Sequence, residues 1–337
     1  MPVRSAVRPA LTAGLVATLL LLVATAPTPA LESGTAALPS SATCDLARAA
    51  YEDYDAAFVR HWQARTGERL RIDRSTEPGC EALAVAEGSL RKPVALAPVF
   101  EIDALRAQSL PPPAWQRDRT HGGVPYRTTV VFLVRDGNPH DIHDWSDLVD
   151  RQVKVVSADP ASSASGHWNR LGARAYALRA SKGDDAAAGD FVDRLFGRQA
   201  ILESNASAAV NRFVNDSAID VLVVQEDVAH RLATSSKVRR FEVVAPSVSV
   251  LVQPRVAVLD RVTLSPRSRE LARAWVEFLY TSEGQAVLAR NHLRPLDDRG
   301  AFHGLPPLET VMTEASRGMT VVIRSGAHMH TRNRHSV

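Results

Sequence analysis

With 337 residues, 45% hydrophobic and 23% charged, the chain can bury one large core or two ordinary ones and has the composition of a soluble globular protein. Its net charge of +3 is too small for a nucleic-acid binder. Part of even that charge sits in a segment that reads as removable.

Arg4 and Arg8 precede an uncharged apolar run from Ala10 to Ala26 and then Thr28-Pro29-Ala30. A basic stretch, an apolar stretch and small residues in that order make a secretory signal over residues 1–30, cut after Ala30. Its removal takes two arginines and no acid, lowering the +3 by two. The alternative is an uncleaved anchor, although a run of about 17 residues is at the lower limit for spanning. No later stretch is long and apolar enough to cross a bilayer, so a periplasmic or extracellular protein is expected. Two cysteines, Cys44 and Cys80, permit one disulfide in that setting.

Residues 31–43 form a small, polar leader with room for a short first strand. From Ala47 to Trp62, Ala50, Tyr54, Phe58 and Trp62 recur every four residues, which predicts a helix. Leu70-Arg71-Ile72 and Val94–Val99 predict strands, and Ile102–Gln108 a helix stopped by Pro111-Pro112-Pro113. Tyr126–Val134 is the most strand-like segment in the chain. Strand, small-residue loop and helix then recur. Val153–Ser157 leads through Asp159-Pro160 and Ser162, Ser163, Ser165 to a helix with Trp168, Leu171, Ala175 and Leu178 on one face. Ala200–Leu202 leads to Glu203-Ser204-Asn205-Ala206-Ser207 and a helix, and Ile219–Val224 to Gln225-Glu226-Asp227. Phe241–Val244, Val248–Val252 and Val256–Leu259 predict three more strands, and Arg267–Tyr280 with Ser282–Arg290 a closing helix pair. The stretch from Gly318 to Val337 is expected to be mobile. This alternation implies an α/β fold with mostly parallel sheets flanked by helices, in which ligands sit beyond the carboxyl ends of strands.

The loop at Ser162–Gly166 places hydroxyls beside a helix N-terminus, where unpaired N–H groups and the positive dipole end suit an oxyanion. Taken alone, the plainer reading of the same serines is a helix cap. His140-Asp141-Ile142-His143-Asp144 has a metal-like composition, but its place after a strand favours a solvated turn. His328, His330 and His335 could hold a transition metal loosely, against the plainer reading of a disordered tail. Ser163 and His167 suggest a hydrolase, yet no GxSxG elbow is present. Trp62, Trp115, Trp145, Trp168 and Trp275 read as packing residues, and no cofactor is expected.

At Pro125–Val149, PYRTTVVFLVRDGNPHDIHDWSDLV resembles the sulfate-binding proteins, the periplasmic receptors of sulfate/thiosulfate ABC importers. The resemblance extends over roughly residues 44–310 and takes in DPASSASGHWNRLGARAYAL, FEVVAPSVSVLVQPRVAV and FLYTSEGQAVLARNHLRP. It implies the type II two-lobed periplasmic-binding-protein fold with a ligand cleft between lobes. Lobe I would be 44–126 plus 249–310, lobe II 127–248, and 311–337 a C-terminal extension. It also implies a monomer that delivers a small oxyanion to an ABC permease. In that family neutral donors hold a fully ionised anion, and the lack of acceptors rejects one that still carries a proton. The implied contacts are Asp45, Ser75, Gly79, Ser163, Ala164, Ser165, Ala206 and Gln225.

Several of these positions depart from the family. Gly79 replaces a contacting serine, Pro78 has no N–H, and Gln225 replaces a tryptophan, keeping an amide donor but no aromatic wall. Glu77 and Glu81 bring negative charge, and a carboxylate ~5 Å from a dianion costs on the order of several kcal/mol. A divergent relative that binds a less charged solute, or none, is therefore the alternative. Cys44 and Cys80 match the ends of the family's first two strands, which predicts a disulfide adding about 3–4 kcal/mol.

Overall fold

The computed structural model describes residues 36–38, 42–43, 48–72, 94–97, 123–235, 240–258, 265–296, 308–311 and 321–324. Strands β1 (Ala36–Leu38) and β2 (Ala42–Thr43) precede helix α1 (Arg48–Thr66), β3 (Leu70–Ile72) and β4 (Val94–Ala97). Next come β5 (Thr128–Arg135), α2 (Asp147–Asp150), β6 (Val155–Ala158) and α3 (Ala164–Ala180). Helix α4 (Asp185–Arg194) runs into a π-helical turn, Leu195–Gln199, before β7 (Ala200–Glu203) and α5 (Ala206–Asn215). Strand β8 (Val221–Gln225) leads directly into α6 (Glu226–Ser235), then β9 (Phe241–Val244), β10 (Val248–Val252) and β11 (Arg255–Val258). Helices α7 (Pro266–Phe278) and α8 (Ser282–Arg290) and strands β12 (Leu308–Val311) and β13 (Val321–Arg324) complete the order.

The start signals of the helices are local. Ser163, Asp184, Asn205, Ser265 and Thr281 each accept a backbone N–H from the turn they open, and Pro266 sits where a missing N–H is harmless. One core is aromatic. Tyr51, Tyr54, Phe58 and Trp62 share a face of α1 and close on Trp275, Phe278 and Leu288 of the α7–α8 pair. Tyr54 meets the Trp275 ring edge-on at 4.9 Å and donates to the Trp275 carbonyl oxygen at 2.6 Å, while the indole N–H donates to Asp55 at 2.8 Å. A buried indole of this kind contributes on the order of 4–6 kcal/mol from area alone.

The large sheet runs β12-β13-β10-β5-β8-β6-β7, with β9 beside β5. Strand β5 is buried on both faces in the two-residue alternation of a pleat. Val130, Phe132 and Val134 pack with Trp145, Trp168 and Leu178, and Val131 and Leu133 with Val156, Phe213 and Leu222. The expectation of mostly parallel sheets holds for β8-β6-β7 and for β1–β3 and β2–β4. Elsewhere the pairing is antiparallel. The short join at 245–247 keeps β9 and β10 running the same way, so both lie antiparallel to β5. Strands β9 and β10 lie end to end along β5, and Ser249 Oγ and Thr129 Oγ1 donate across the gap in the ladder, to Val130 O and Val250 O at 2.9 Å.

The stretch predicted mobile contains a strand. The β-branched run Val321-Val322-Ile323 of β13 pairs with β10 at Val248–Val250, and β12 covers its other side. Residues 325–337, with His328, His330 and His335, lie outside the described residues, as do Ile102–Gln108 and Trp115. The other four tryptophans are buried, as expected.

Candidate functional site

Strands β7, β6 and β8 are neighbours, run parallel, and each passes at its carboxyl end into a helix: α5, α3 and α6. That convergence is where an α/β sheet offers a site. The first two junctions are tied together. Asp159 N donates to Glu203 O at 2.7 Å, and Ser162 Oγ to Ser204 O at 3.1 Å.

Ser163 is the extended cap of α3 (φ −133°, ψ 133°), and its Oγ accepts from Gly166 N at 3.4 Å. Its own hydroxyl proton is left to donate elsewhere. The N–H groups of Ala164 and Ser165 have no acceptor among the described residues, as the first turn of a helix dictates. This turn lies hard against β6. A Cβ built on Gly166 would run into the Ala158 carbonyl oxygen and the Asp159 backbone, so only glycine fits. Asn205 caps α5 in the same way, accepting from Ala208 N at 2.8 Å, with Ala206 at the first helical position. Ser163, Ala164, Ser165 and Ala206 therefore stand at two linked helix starts, all of them buried.

Gln225 differs from expectation. Its amide nitrogen is turned inward, donating to Asn169 Oδ1 at 3.2 Å and Ser165 O at 3.4 Å, and its Oε1 accepts the Ser165 hydroxyl. At 1% exposure the amide satisfies a buried partner first. Asn169 in turn donates to Ser157 Oγ at 3.0 Å and Val223 O at 2.9 Å. Neither Asn169 nor Ser157 stands out in the sequence. The available signal is a polar residue at a core-facing position, Ser157 in a valine strand and Asn169 within an amphipathic helix.

Helix α6 starts on two carboxylates. Glu226 and Arg294 form a bidentate pair with both bonds at 2.7 Å, exposed only 1% and 3% as side chains. Burial raises the Glu226 carboxyl above its ordinary value, against the pull of Arg294. Asp227 accepts from Thr128 Oγ1 at 3.3 Å and lies 3.8 Å from Arg231. Burial pushes its carboxyl up to about 6, with Arg231 opposing. His230 stacks on His292 at 5.5 Å, and burial, then His292 and Arg294, lowers it to about 4. With acids built into its first turn, α6 is less suited to receive an anion than α3.

Asp45, Ser75, Gly79, Glu77, Pro78, Glu81, Cys44 and Cys80 lie outside the described residues. The His140–Asp144 segment is a turn tied to its neighbours, with His140 3.1 Å from Asp220. Asn138 and Ile142 exchange bonds at 2.8 and 2.9 Å, His143 meets Asp141 at 2.7 Å, and Arg151 reaches both Asp141 and Asp147. Among the described residues no group of three or more His, Cys, Asp or Glu could hold a metal.

The family model described as "Bacterial extracellular solute-binding protein" matches residues 53–294. The chain is 38% identical over 254 residues to the sulfate-binding protein of Escherichia coli K12, covering 75% of this chain and 77% of that one. It is 35% identical over 253 residues to the thiosulfate-binding protein of Pseudomonas aeruginosa, covering 74% and 76%. Among solved structures, the sulfate-binding protein SubI from Mycobacterium tuberculosis H37Rv is similar, with TM-score 0.65 and 25% identity over 79% of this chain and 88% of that one. A periplasmic thiamin binding protein shares the fold at TM-score 0.57 and 13% identity, over 85% and 88%. The chain belongs to the bacterial extracellular solute-binding proteins, in the same family as the sulfate- and thiosulfate-binding proteins.

Proposed function

We propose that this chain is the solute-binding component of an ABC importer, exported through the signal at residues 1–30, which takes a small oxyanion such as sulfate and presents it to a membrane permease. The observation that carries the reading is the start of α3, where Ala164 and Ser165 offer N–H groups without an acceptor among the described residues and the Ser163 hydroxyl stands beside them. These donors are neutral and joined to the positive end of a 17-residue helix, so they suit an anion that has already lost its protons. The identity to sulfate- and thiosulfate-binding relatives supports the same class. The aromatic core with α1, α7 and α8 would be lobe I, and the sheet from β5 to β9 lobe II. Ala206 adds the second helix start, and Asp45, Ser75 and Gly79 complete the set from lobe I. Gln225 contributes as a support rather than a donor, because its amide is engaged inward. The chain acts as a monomer and has no catalytic role, as suits a family of binding proteins.

Titration calorimetry of the mature chain with sulfate, thiosulfate, molybdate and phosphate tests this. Saturable heat with sulfate or thiosulfate, weakened roughly tenfold to a hundredfold in Ser163→Ala, is expected from loss of one hydrogen bond to a charged group. No heat with any oxyanion, together with a thermal shift from a neutral solute, would overturn the oxyanion assignment.

A further inference from the structure

We propose that Asn169 is a positioning residue for the anion site, acting through Gln225 and Ser165; this rests on the function proposed above. Ser157, Ser165 and Asn169 are fully buried and Gln225 is 1% exposed, a run of four polar side chains where an apolar core would otherwise stand. Their hydrogen bonds have one direction only. The chain ends on carbonyl oxygens, Ala158 O and Val223 O, which can only accept. Ser157 therefore donates to Ala158 O at 3.0 Å, and its oxygen accepts from Asn169 Nδ2. With Nδ2 facing the strands, Asn169 Oδ1 must face Gln225 and accept from Nε2, which leaves Gln225 Oε1 to take the Ser165 proton. Two consequences follow. The Ser165 hydroxyl is committed inward, so its outward donor is the backbone N–H. The first turn of α3 is also fixed to β6 and β8 at once, because Asn169 sits one helical turn beyond Ser165 and bonds both strands, where Ser157 and Val223 are paired. An apolar residue there could hold the helix as firmly but could not set its rotation.

The variants are Asn169→Leu, which keeps the volume, Ser157→Ala, which cuts only the terminal link, and Leu178→Ala, which opens the core at the far end of α3. Each is titrated with sulfate at a temperature where circular dichroism shows it folded, and the Ala164 and Ser165 amide resonances are followed by 15N NMR. Expected are a dissociation constant raised tenfold or more in Asn169→Leu, with smaller sulfate-induced shifts at both amides. Ser157→Ala should weaken binding about threefold to tenfold, and decides the matter if Asn169→Leu does not fold. Leu178→Ala should melt earlier yet bind within twofold of wild type. Binding within twofold in both chain variants, or a loss in Leu178→Ala equal to that in Asn169→Leu, would overturn the positioning role while leaving the function intact. A wild-type chain silent to sulfate, thiosulfate and molybdate would overturn both.

Discussion

Asp227 offers the sharpest test of how the polar interior is balanced. Its carboxyl is 1% exposed, with Thr128 donating at 3.3 Å and the Arg231 guanidinium at 3.8 Å. Desolvation outweighs these, and the carboxyl titrates near about 6 instead of its ordinary 3.8. A folded value above the unfolded one means that the stability present below pH 3.8 is lost as the pH rises through about 6. At 1.36 kcal/mol per pH unit that loss is about 3 kcal/mol at pH 8. Asp227→Asn keeps an acceptor for Thr128 and removes the charge. Arg231 loses a partner, but its 28% exposed side chain retains solvent. The variant should gain about 2–3 kcal/mol at pH 8, about 4–12 °C in melting temperature for a domain of this size. At pH 4 the gain should nearly vanish. Urea denaturation of wild type and D227N at both pH values measures it. An equal advantage at pH 4 and pH 8, or a less stable D227N at pH 8, would refute the account.

Arg294→Met strands the Glu226 carboxylate at 1% exposure and should cost about 3–5 kcal/mol in chemical denaturation. The double variant Glu226→Leu/Arg294→Met should recover most of it, and equal losses in both would contradict the desolvation argument. Gly166→Ala should weaken sulfate binding at least tenfold and lower the melting temperature, because the new methyl displaces the first turn of α3 from β6; unchanged affinity would rule out that close seating. The His230 ring should titrate by NMR near about 4, so acidification from 6.5 towards that value destabilises through this group. A midpoint at or above 6.5 would mean that the ring is not desolvated.

What the sequence made legible followed from periodicity. Strands such as Phe241–Val244 and helix Ser282–Arg290 were expected at those bounds, since apolar runs and a capping Thr281 mark them. Helix α3 begins at Ala164 under the Ser163 cap, four residues before Trp168, and this first turn is not legible because Ala164, Ser165 and Gly166 carry no periodic apolar signal. Helix α4 went unread, since Ala188, Phe191 and Val192 are its only buried residues. Helix α6 is not marked in the sequence beyond Gln225-Glu226-Asp227 at the end of a strand, and the arginine that buries Glu226 lies 68 residues away. The inward turn of Gln225 was hidden for the same reason. Its partners Ser165 and Asn169 are 60 and 56 positions distant, and neither a residue type nor a motif announces them.

Strand β13 comes well after β10 in the chain, yet it lies against β10, the strand next to β5. Until residue 324 has emerged, Val248–Val250 presents open backbone donors and acceptors along that edge. A chain cut after Val311 should therefore stick to its own kind through that edge.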